Sequence, residues 1–357
     1  MSKGYRSYRG RASKGKIALA VLLVLIILAA LSVLAMQRYI AYDENGVPFL
    51  RLPERDTPEP GPAEEPPSGS GADDLELIIQ EPEEPEEPPV KAFSLSALPL
   101  TGEAWTTARA EAGVEYNAVS VVLKDAEGKV YYASESAVRK AKKPGEDTME
   151  TLAAVTGDET LHTIARFSCL LDPTASRVDV EAMGLKNTGG YIFYDGNYAA
   201  WLDPGKEAAR QYLCSLVREI AELGFDEILL TEVSYPTQGK LDKINYNSEA
   251  PIEENLSLLL EELRKVLEPY DIILSMELPE AVIMEGADET AGLRLSHAAR
   301  WADRIYAVTE PDRADTLSAR VLQMASSAEN RVQGFIPEFA VPVPEWEGGF
   351  LVLPPDA

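Results

Sequence analysis

The chain has 357 residues, 45% of them apolar, with 59 acidic and 33 basic side chains and a net charge of −26. Such a length and apolar fraction can fill the core of one large domain with segments to spare, and the acidity argues against nucleic acid or anionic lipid as a ligand, since phosphates would be repelled. Two cysteines, Cys169 and Cys214, exclude a disulfide framework and read as free thiols, with Cys214 on the polar face of its helix beside Arg210 and Arg218.

Charge is unevenly placed along the chain. The first sixteen residues carry Lys3, Arg6, Arg9, Arg11, Lys14 and Lys16 and no acid, and an apolar block follows at 17–35. At ~1.5 Å per residue the block spans roughly 28 Å as a helix, close to the hydrocarbon thickness of a bilayer. The expectation is therefore a basic cytoplasmic tail (1–16), a transmembrane helix (17–36) and an exported remainder, which places the protein in the cell membrane as a single-pass chain. A cleaved signal peptide ending near Val33-Leu34-Ala35 is the alternative, although the apolar run exceeds the ~7–15 residues usual for such a segment.

Residues 37–89 read as a linker. From about Asp43 to Pro89 the composition is dominated by Pro, Glu, Gly and Ser, as in EPGPAEEPPSGSGADD and QEPEEPEEPP. Few apolar residues interrupt it, chiefly Leu75, Leu77, Ile78 and Ile79. This composition cannot bury a core, and predicts a disordered acidic stalk held extended by charge repulsion and polyproline geometry.

Beyond Val90 short apolar runs alternate with amphipathic stretches. Strands are expected near 90–97, 117–124, 161–168, 227–231, 272–277, 304–309, 332–336 and 350–353. Helices are expected around 103–112, 147–154, 206–223, 251–267, 293–302 and 315–328. The clearest unit is the helix after Asp203-Pro204, with Ala209, Tyr212, Leu213, Leu216, Val217, Ile220 and Leu223 on one side and Gly224 as its stop. It leads into Ile228–Leu230, a strand buried on both faces, and then into Thr231, Glu232 and Ser234. Eight such strands over residues 90–357 predict an α/β fold, a (β/α)8 TIM-like barrel, with Pro337, Pro342 and Pro344 crowding the place of a seventh helix.

The segments AWLDPGKEAARQYLCSLVREIAELGFDEI, NAVSVVLKDAEGKVYY, HTIARFSCLLDP and PYDIILSMEL resemble a bacterial family of glycoside hydrolase-like proteins with a TIM-barrel fold, a DUF4015-like family with alpha-amylase-like relatives. The resemblance covers nearly all of 90–357. It maps the family's strand-two lysine-aspartate onto Lys124 and Asp125, its strand-three arginine onto Arg166, and its Asp-Pro turn onto Asp172-Pro173. A Trp-x-Asp-Pro motif falls on Trp201, Asp203 and Pro204. The strand-four Asp-Tyr-x-Arg-Phe-Pro signature reads Thr231, Glu232, Val233, Ser234, Tyr235, Pro236 here, so both its charged members are lost from their own positions. The family's later site residues fall on Glu277, Glu310 and Glu338, and its Trp-Asn-Pro becomes Leu353-Pro354-Pro355.

The resemblance implies polysaccharide as the partner and glycoside hydrolysis as the chemistry, which needs one protonated and one ionised carboxyl group about 5–9.5 Å apart. A barrel supplies them from strand ends. Parity on strand five sends Ile273, Ser275 and Glu277 inward, so Glu277 is the first candidate, as nucleophile or base. Glu310 is a comparable candidate for the acid. Glu232 reaches the mouth only if strand four has already ended. Asp125, Arg166, Trp201, Tyr194 and Glu338 are the expected substrate-binding residues, with Arg166 needing a carboxylate partner if buried.

Each acid also has the plainer reading of a solvated charge or helix cap, as for Asp203. The aromatics after strand three, Tyr191, Phe193, Tyr194, Tyr198 and Trp201, equally suit loop packing or sugar stacking. His162 and His297 lack metal-site spacing and no phosphate loop or nucleophile elbow is present, so neither metal nor cofactor is expected. A non-catalytic barrel that binds glycan or serves as a cell-envelope scaffold is the second reading.

Overall fold

Which strand residues face outward in this chain is set by the helices that cover them. The computed structural model describes residues 40–42, 48–50, 88–112, 115–246, 250–344 and 346–354. The expected tail (1–16) and membrane span (17–36) lie outside the described residues. Among the described residues no helix is long and apolar enough to cross a membrane.

The chain divides into two units, Met1–Glu81 and Pro82–Ala357. In the first, Ile40–Tyr42 pairs antiparallel with Pro48–Leu50, Ile40 opposite Leu50. This is regular structure inside a stretch read as linker. Strand-forming Ile40, Tyr42 and Phe49 flank Asn45-Gly46, a hairpin-turn sequence that an overall composition argument overlooks. The rest of the expected stalk up to residue 87 lies outside the described residues.

The second unit is an eight-stranded closed parallel barrel in sequential order. Its strands are β1 (Lys91–Leu95), β2 (Ala118–Lys124), β3 (His162–Ser168), β4 (Glu227–Thr231), β5 (Ile273–Glu277), β6 (Arg304–Val308), β7 (Gly334–Phe339) and β8 (Phe350–Val352). Closure is through β8 and β1, where Phe350, Leu351 and Val352 lie beside Lys91, Ala92 and Phe93. The helices are α1 (Gly102–Ala112), α2 (Thr148–Thr156), α3 (Glu207–Glu222), α4 (Ile252–Leu267), α5 (Glu280–Glu285), α6 (Leu295–Trp301) and α7 (Pro311–Ala325). Among the described residues between β7 and β8 there is no helix, where Pro342 and Pro344 remove backbone donors.

Helix α3 forms because its buried residues, among them Ala209, Leu213, Leu216, Val217 and Ile220, recur on one face and seal against β3 and β4. It starts at Glu207, within one residue of the expected start, and Asp203-Pro204 lies before it. Asp203 is buried, accepting from the Gly205 amide at 3.0 Å. Gly224, at φ 85°, turns the chain out of the helix in a conformation that a side chain would oppose. Arg210 and Cys214 are buried rather than on a solvated face, since α4 covers them: the Arg210 Nε lies 3.0 Å from Glu262. Both cysteines are free, and burial pushes the Cys169 thiol up to about 12 and that of Cys214 to about 11.

Two separate cores result. Outward-facing Ile228, Leu230, Leu274, Met276 and Ile305 join the layer beneath the helices. Inside the ring, Ala92, Ala118, Ile164, Leu229, Tyr306, Ile336 and Leu351 make an apolar plug across the barrel's waist. Polar side chains are thereby confined to the two ends of the interior.

Candidate functional site

Above the plug, at the carboxyl ends of the strands, three inward side chains from β3, β5 and β7 meet. Arg166 donates from Nη1 to Glu338 at 2.9 Å and from Nη2 to Glu277. Sharing one guanidinium, the two carboxyl groups sit close enough for the charge of Glu338 to act on Glu277. Glu338 is fully buried, with one carboxyl oxygen lacking a protein partner, while Glu277 keeps part of its surface open. Burial, then the charge of Glu338, raise the Glu277 carboxyl to about 8 against the opposing pull of Arg166. Burial likewise raises Glu338, again opposed by Arg166. Arg166, which burial alone would make less basic, is held above its usual value by Glu338 and Glu277. One proton is thus retained within the pair near neutral pH.

Glu232 completes the cluster. Strand β4 ends at Thr231, and Glu232 adopts φ 49°, a left-handed conformation that takes it out of strand alternation. Its carboxylate accepts from the Thr231 hydroxyl. Its charge acts on Arg166, Glu277 and Glu338 alike. The requirement that the strand end before Glu232 is met.

The remaining expected site residues lie elsewhere. Glu310 is exposed at the N-cap of α7, where its carbonyl accepts from the Arg313 amide at 3.0 Å; it makes none of the Arg166 contacts. The following Pro311 starts a helix there, which is the plain capping reading. Asp125 organises the turn after β2: one carboxylate oxygen accepts from the amides of Glu127 (2.9 Å) and Lys129 (2.8 Å), the other from the Tyr131 hydroxyl (2.7 Å). These contacts hold the turn. The neighbouring Lys124, shifted in register by a bulge in β2, is fully buried against Asp172 at 3.1 Å and donates to the Ser168 carbonyl at 2.6 Å. Trp201 is buried too, its indole N–H donating to Asp195 at 2.9 Å. Tyr194 remains exposed, with the Arg177 guanidinium 5.4 Å from its ring centre.

A second polar cluster, at the amino ends of the strands, was not anticipated. The fully buried Glu227 carboxylate contacts His162 Nε2 at 2.7 Å and accepts from Arg304 at 2.6 Å and the Ser275 hydroxyl at 2.5 Å. Burial would raise this acid, but the His162 hydrogen bond and the Arg304 charge outweigh it and hold Glu227 below its usual value. The signal was available, since Glu227 has the parity of Leu229 and an inward acid needs cationic company. Position at the barrel base marks this cluster as structural. Among the described residues no group of three or more His, Cys, Asp or Glu side chains is arranged to hold a metal ion.

The mouth therefore presents a guanidinium, a retained proton and a nearby third carboxylate, the components of acid-base chemistry. The barrel is similar to several solved structures. It shares 25% identity with a hypothetical protein from Ruminiclostridium thermocellum ATCC 27405 over 52% of this chain and 96% of that one, with a TM-score of 0.45. For the PgaB (BpsB) glycoside hydrolase domain from Bordetella bronchiseptica the values are 12%, 71%, 84% and 0.48. For a variant of the PelA glycoside hydrolase domain from Pseudomonas aeruginosa they are 10%, 70%, 84% and 0.39. No curated protein sequence matches the chain. A family profile described as "Putative glycosyl hydrolase domain", DUF4015, matches residues 106–314, a span that includes Arg166, Glu232 and Glu277 and stops short of Glu338. With that match over more than half its length, the chain belongs to this glycosyl hydrolase domain family.

Proposed function

We propose that the barrel cleaves a polysaccharide of the cell envelope or extracellular matrix, with Glu277 as the general acid and Glu232 as the second carboxyl group of the pair. The supporting observation is the raised carboxyl of Glu277, about 8, at a barrel mouth where a leaving glycosidic oxygen needs a proton. This reverses the role the sequence suggested for Glu277. A group that keeps its proton at neutral pH suits an acid better than a nucleophile or base. Glu338 and Arg166 act on the reaction through Glu277, Glu338 favouring its protonated form and Arg166 fixing its position. The basic tail and apolar block of the sequence add the proposal that the barrel is carried outside a cell membrane on a single span.

A non-catalytic, glycan-binding barrel is the second reading, and one observation favours it. Glu277 and Glu338 are both tied to the Arg166 guanidinium rather than free to flank a glycosidic bond as a pair, and Thr231 stands where the family's strand-four aspartate would be. A glycan panel incubated with the protein separates the two. Release of reducing ends that disappears in Glu277→Gln supports hydrolysis. Saturable binding with no release supports the second reading, and release undiminished in Glu277→Gln removes Glu277 from the mechanism.

A further inference from the structure

Between β3 and α3 the chain makes a long excursion that carries three exposed aromatic rings. Tyr191 is 75% exposed, Tyr198 82% and Tyr194 44%, and all three line one cavity of about 660 Å³ shared with the loop after β4. Both loops follow the carboxyl ends of barrel strands, on the side of the mouth. Single exposed aromatics are ordinary, whereas three in one concave site mark a surface that binds something.

The scaffold beneath the rings is fully bonded without them. The Asp195 carboxylate accepts from the amides of Asn197 (2.8 Å) and Ala199 (2.9 Å) and from the Trp201 indole. Asn187 accepts from the Gly189 amide at 2.9 Å, and Lys186–Asn187 pairs antiparallel with Ile244–Asn245 of the other loop. Gly239, at φ 100°, lies so close that an added Cβ would stand 2.9 Å from the Gly196 nitrogen. Tyr198 itself is held at φ 59°, a conformation disfavoured for an aromatic residue, with its ring in solvent. The frame does not use the rings of Tyr191 and Tyr198 for its own packing, and Tyr194, with Arg177 5.4 Å from its ring centre, stays part-exposed beside them, so the site is preorganised for stacking.

The lining chemistry selects the ligand. Of the charged residues lining the cavity, Asp195 and Lys240 offset each other in sign and Lys243 is paired with Asp242 at 2.7 Å, so the cavity carries little net charge. The chain's net charge of −26 repels polyanions. What remains is flat apolar faces bordered by amide, hydroxyl and carbonyl groups, which complement the C–H faces and hydroxyl rim of an uncharged pyranose. We infer that Tyr191, Tyr194 and Tyr198 form a stacking platform for uncharged pyranose units of a polysaccharide chain. The inference rests on the polysaccharide reading above and adds where the polymer is held.

The test is calorimetric titration of the full-length protein carrying Glu277→Gln, which isolates binding from turnover, with cellohexaose, N-acetylated chitohexaose and hexagalacturonate as probes. At least one uncharged hexamer should bind, and Tyr198→Ala or Tyr191→Ala should weaken it about tenfold, equivalent to about 1.4 kcal/mol. Tyr198→Phe should bind within twofold of the parent, because the ring face rather than the hydroxyl makes the contact. All three substitutions are at exposed positions and should leave the melting temperature unchanged. Binding of hexagalacturonate alone, binding of no hexamer, or alanine variants that bind as well as the parent would each overturn the platform. So would sedimentation showing self-association that the alanine variants abolish without any saccharide binding, which assigns the rings to protein contact. Platform binding alongside absent turnover in the unsubstituted protein would leave this inference standing while the hydrolytic reading fails.

Discussion

Glu277 and Glu338, on strands separated in the barrel by β6, share the guanidinium of Arg166. Two buried carboxyl groups on one guanidinium cannot both ionise cheaply, since a single cation compensates only one of them. The pair therefore stores a proton at the barrel mouth.

That proton has a cost in stability with a definite sign. Glu277 has its folded value raised from 4.5 to about 8. As pH rises from about 4.5 towards 8, the unfolded chain loses this proton while the folded chain keeps it, so stability falls across that window and levels off above it. Glu277→Gln mimics the protonated acid and can still accept from Arg166. Chemical denaturation at pH 9 should find the variant more stable by roughly 1–4 kcal/mol, with the gain shrinking towards pH 5. A variant that is less stable at pH 9 would mean that the pair is ionised in the folded protein.

The same group sets the expected pH profile of turnover. With Glu277 as the acid, release of reducing ends should decline on the alkaline side with a midpoint near pH 8, where the acid loses its proton. Glu338→Gln removes the neighbouring charge that helps raise it and should move this limb to lower pH. An alkaline limb that stays in place in Glu338→Gln would point to a different acid.

Arg166 is the only cation hydrogen-bonded to either carboxyl group among the described contacts. Arg166→Met would leave two buried acids without it, and should destabilise by about 3–5 kcal/mol. The loss should grow with pH, because each acid then resists ionisation further. Adding Glu338→Gln to Arg166→Met should recover part of the loss, as a denaturation cycle over the four proteins would measure. Strict additivity would contradict the shared guanidinium.

Much of this architecture could be read from the chain because it depends on local pattern. The eight strands and the helices α1 to α4, α6 and α7 follow from periodicity, and the inward parity of Ser275 and Glu277 follows from Leu274 and Met276 facing the helices. Helix α5 is too short to carry a period, and the Ile40–Tyr42 pairing was hidden by the composition around it. The partners of Arg166 were expected only as some carboxylate: Glu277 lies 111 residues away and Glu338 172, and no local signal chooses between them and Glu310. Burial of Asp203 and Cys214 escaped notice for a related reason, since the cover over them comes from the excursion after β3 and from α4 respectively.

At the opposite end of the barrel Glu227 should govern the response to acid. Its folded value is depressed, so its contribution is complete above pH about 4.5, the ordinary value, and is lost as pH falls through the lower folded one. Glu227→Gln presents an amide to Arg304 and His162, and should cost about 3 kcal/mol at pH 7. The variant should also lose less stability than the parent between pH 5 and 3, as melting curves across that range would report. Equal acid sensitivity in both proteins would show that other carboxylates carry the effect.

Gly239 tests whether the aromatic excursion depends on its neighbouring loop. At φ 100° an alanine is strained whatever the space, and its Cβ would meet the Gly196 nitrogen at 2.9 Å and the Asp195 carbonyl carbon at 3.0 Å. Both contacts are backbone, so relief requires the two loops to part. Gly239→Ala should therefore cost about 1–3 kcal/mol locally. Hydrogen exchange should quicken at the amides of Asn197 and Ala199, which donate to Asp195, and at Thr188, which donates to the Lys243 carbonyl at 2.8 Å. Amides in β3 and β4 should exchange as before, because those strands are held by their own ladder and by the apolar layers on either side. If protection fell equally in the excursion and in the strands, the loops would be part of the barrel's cooperative unit rather than a frame built upon it.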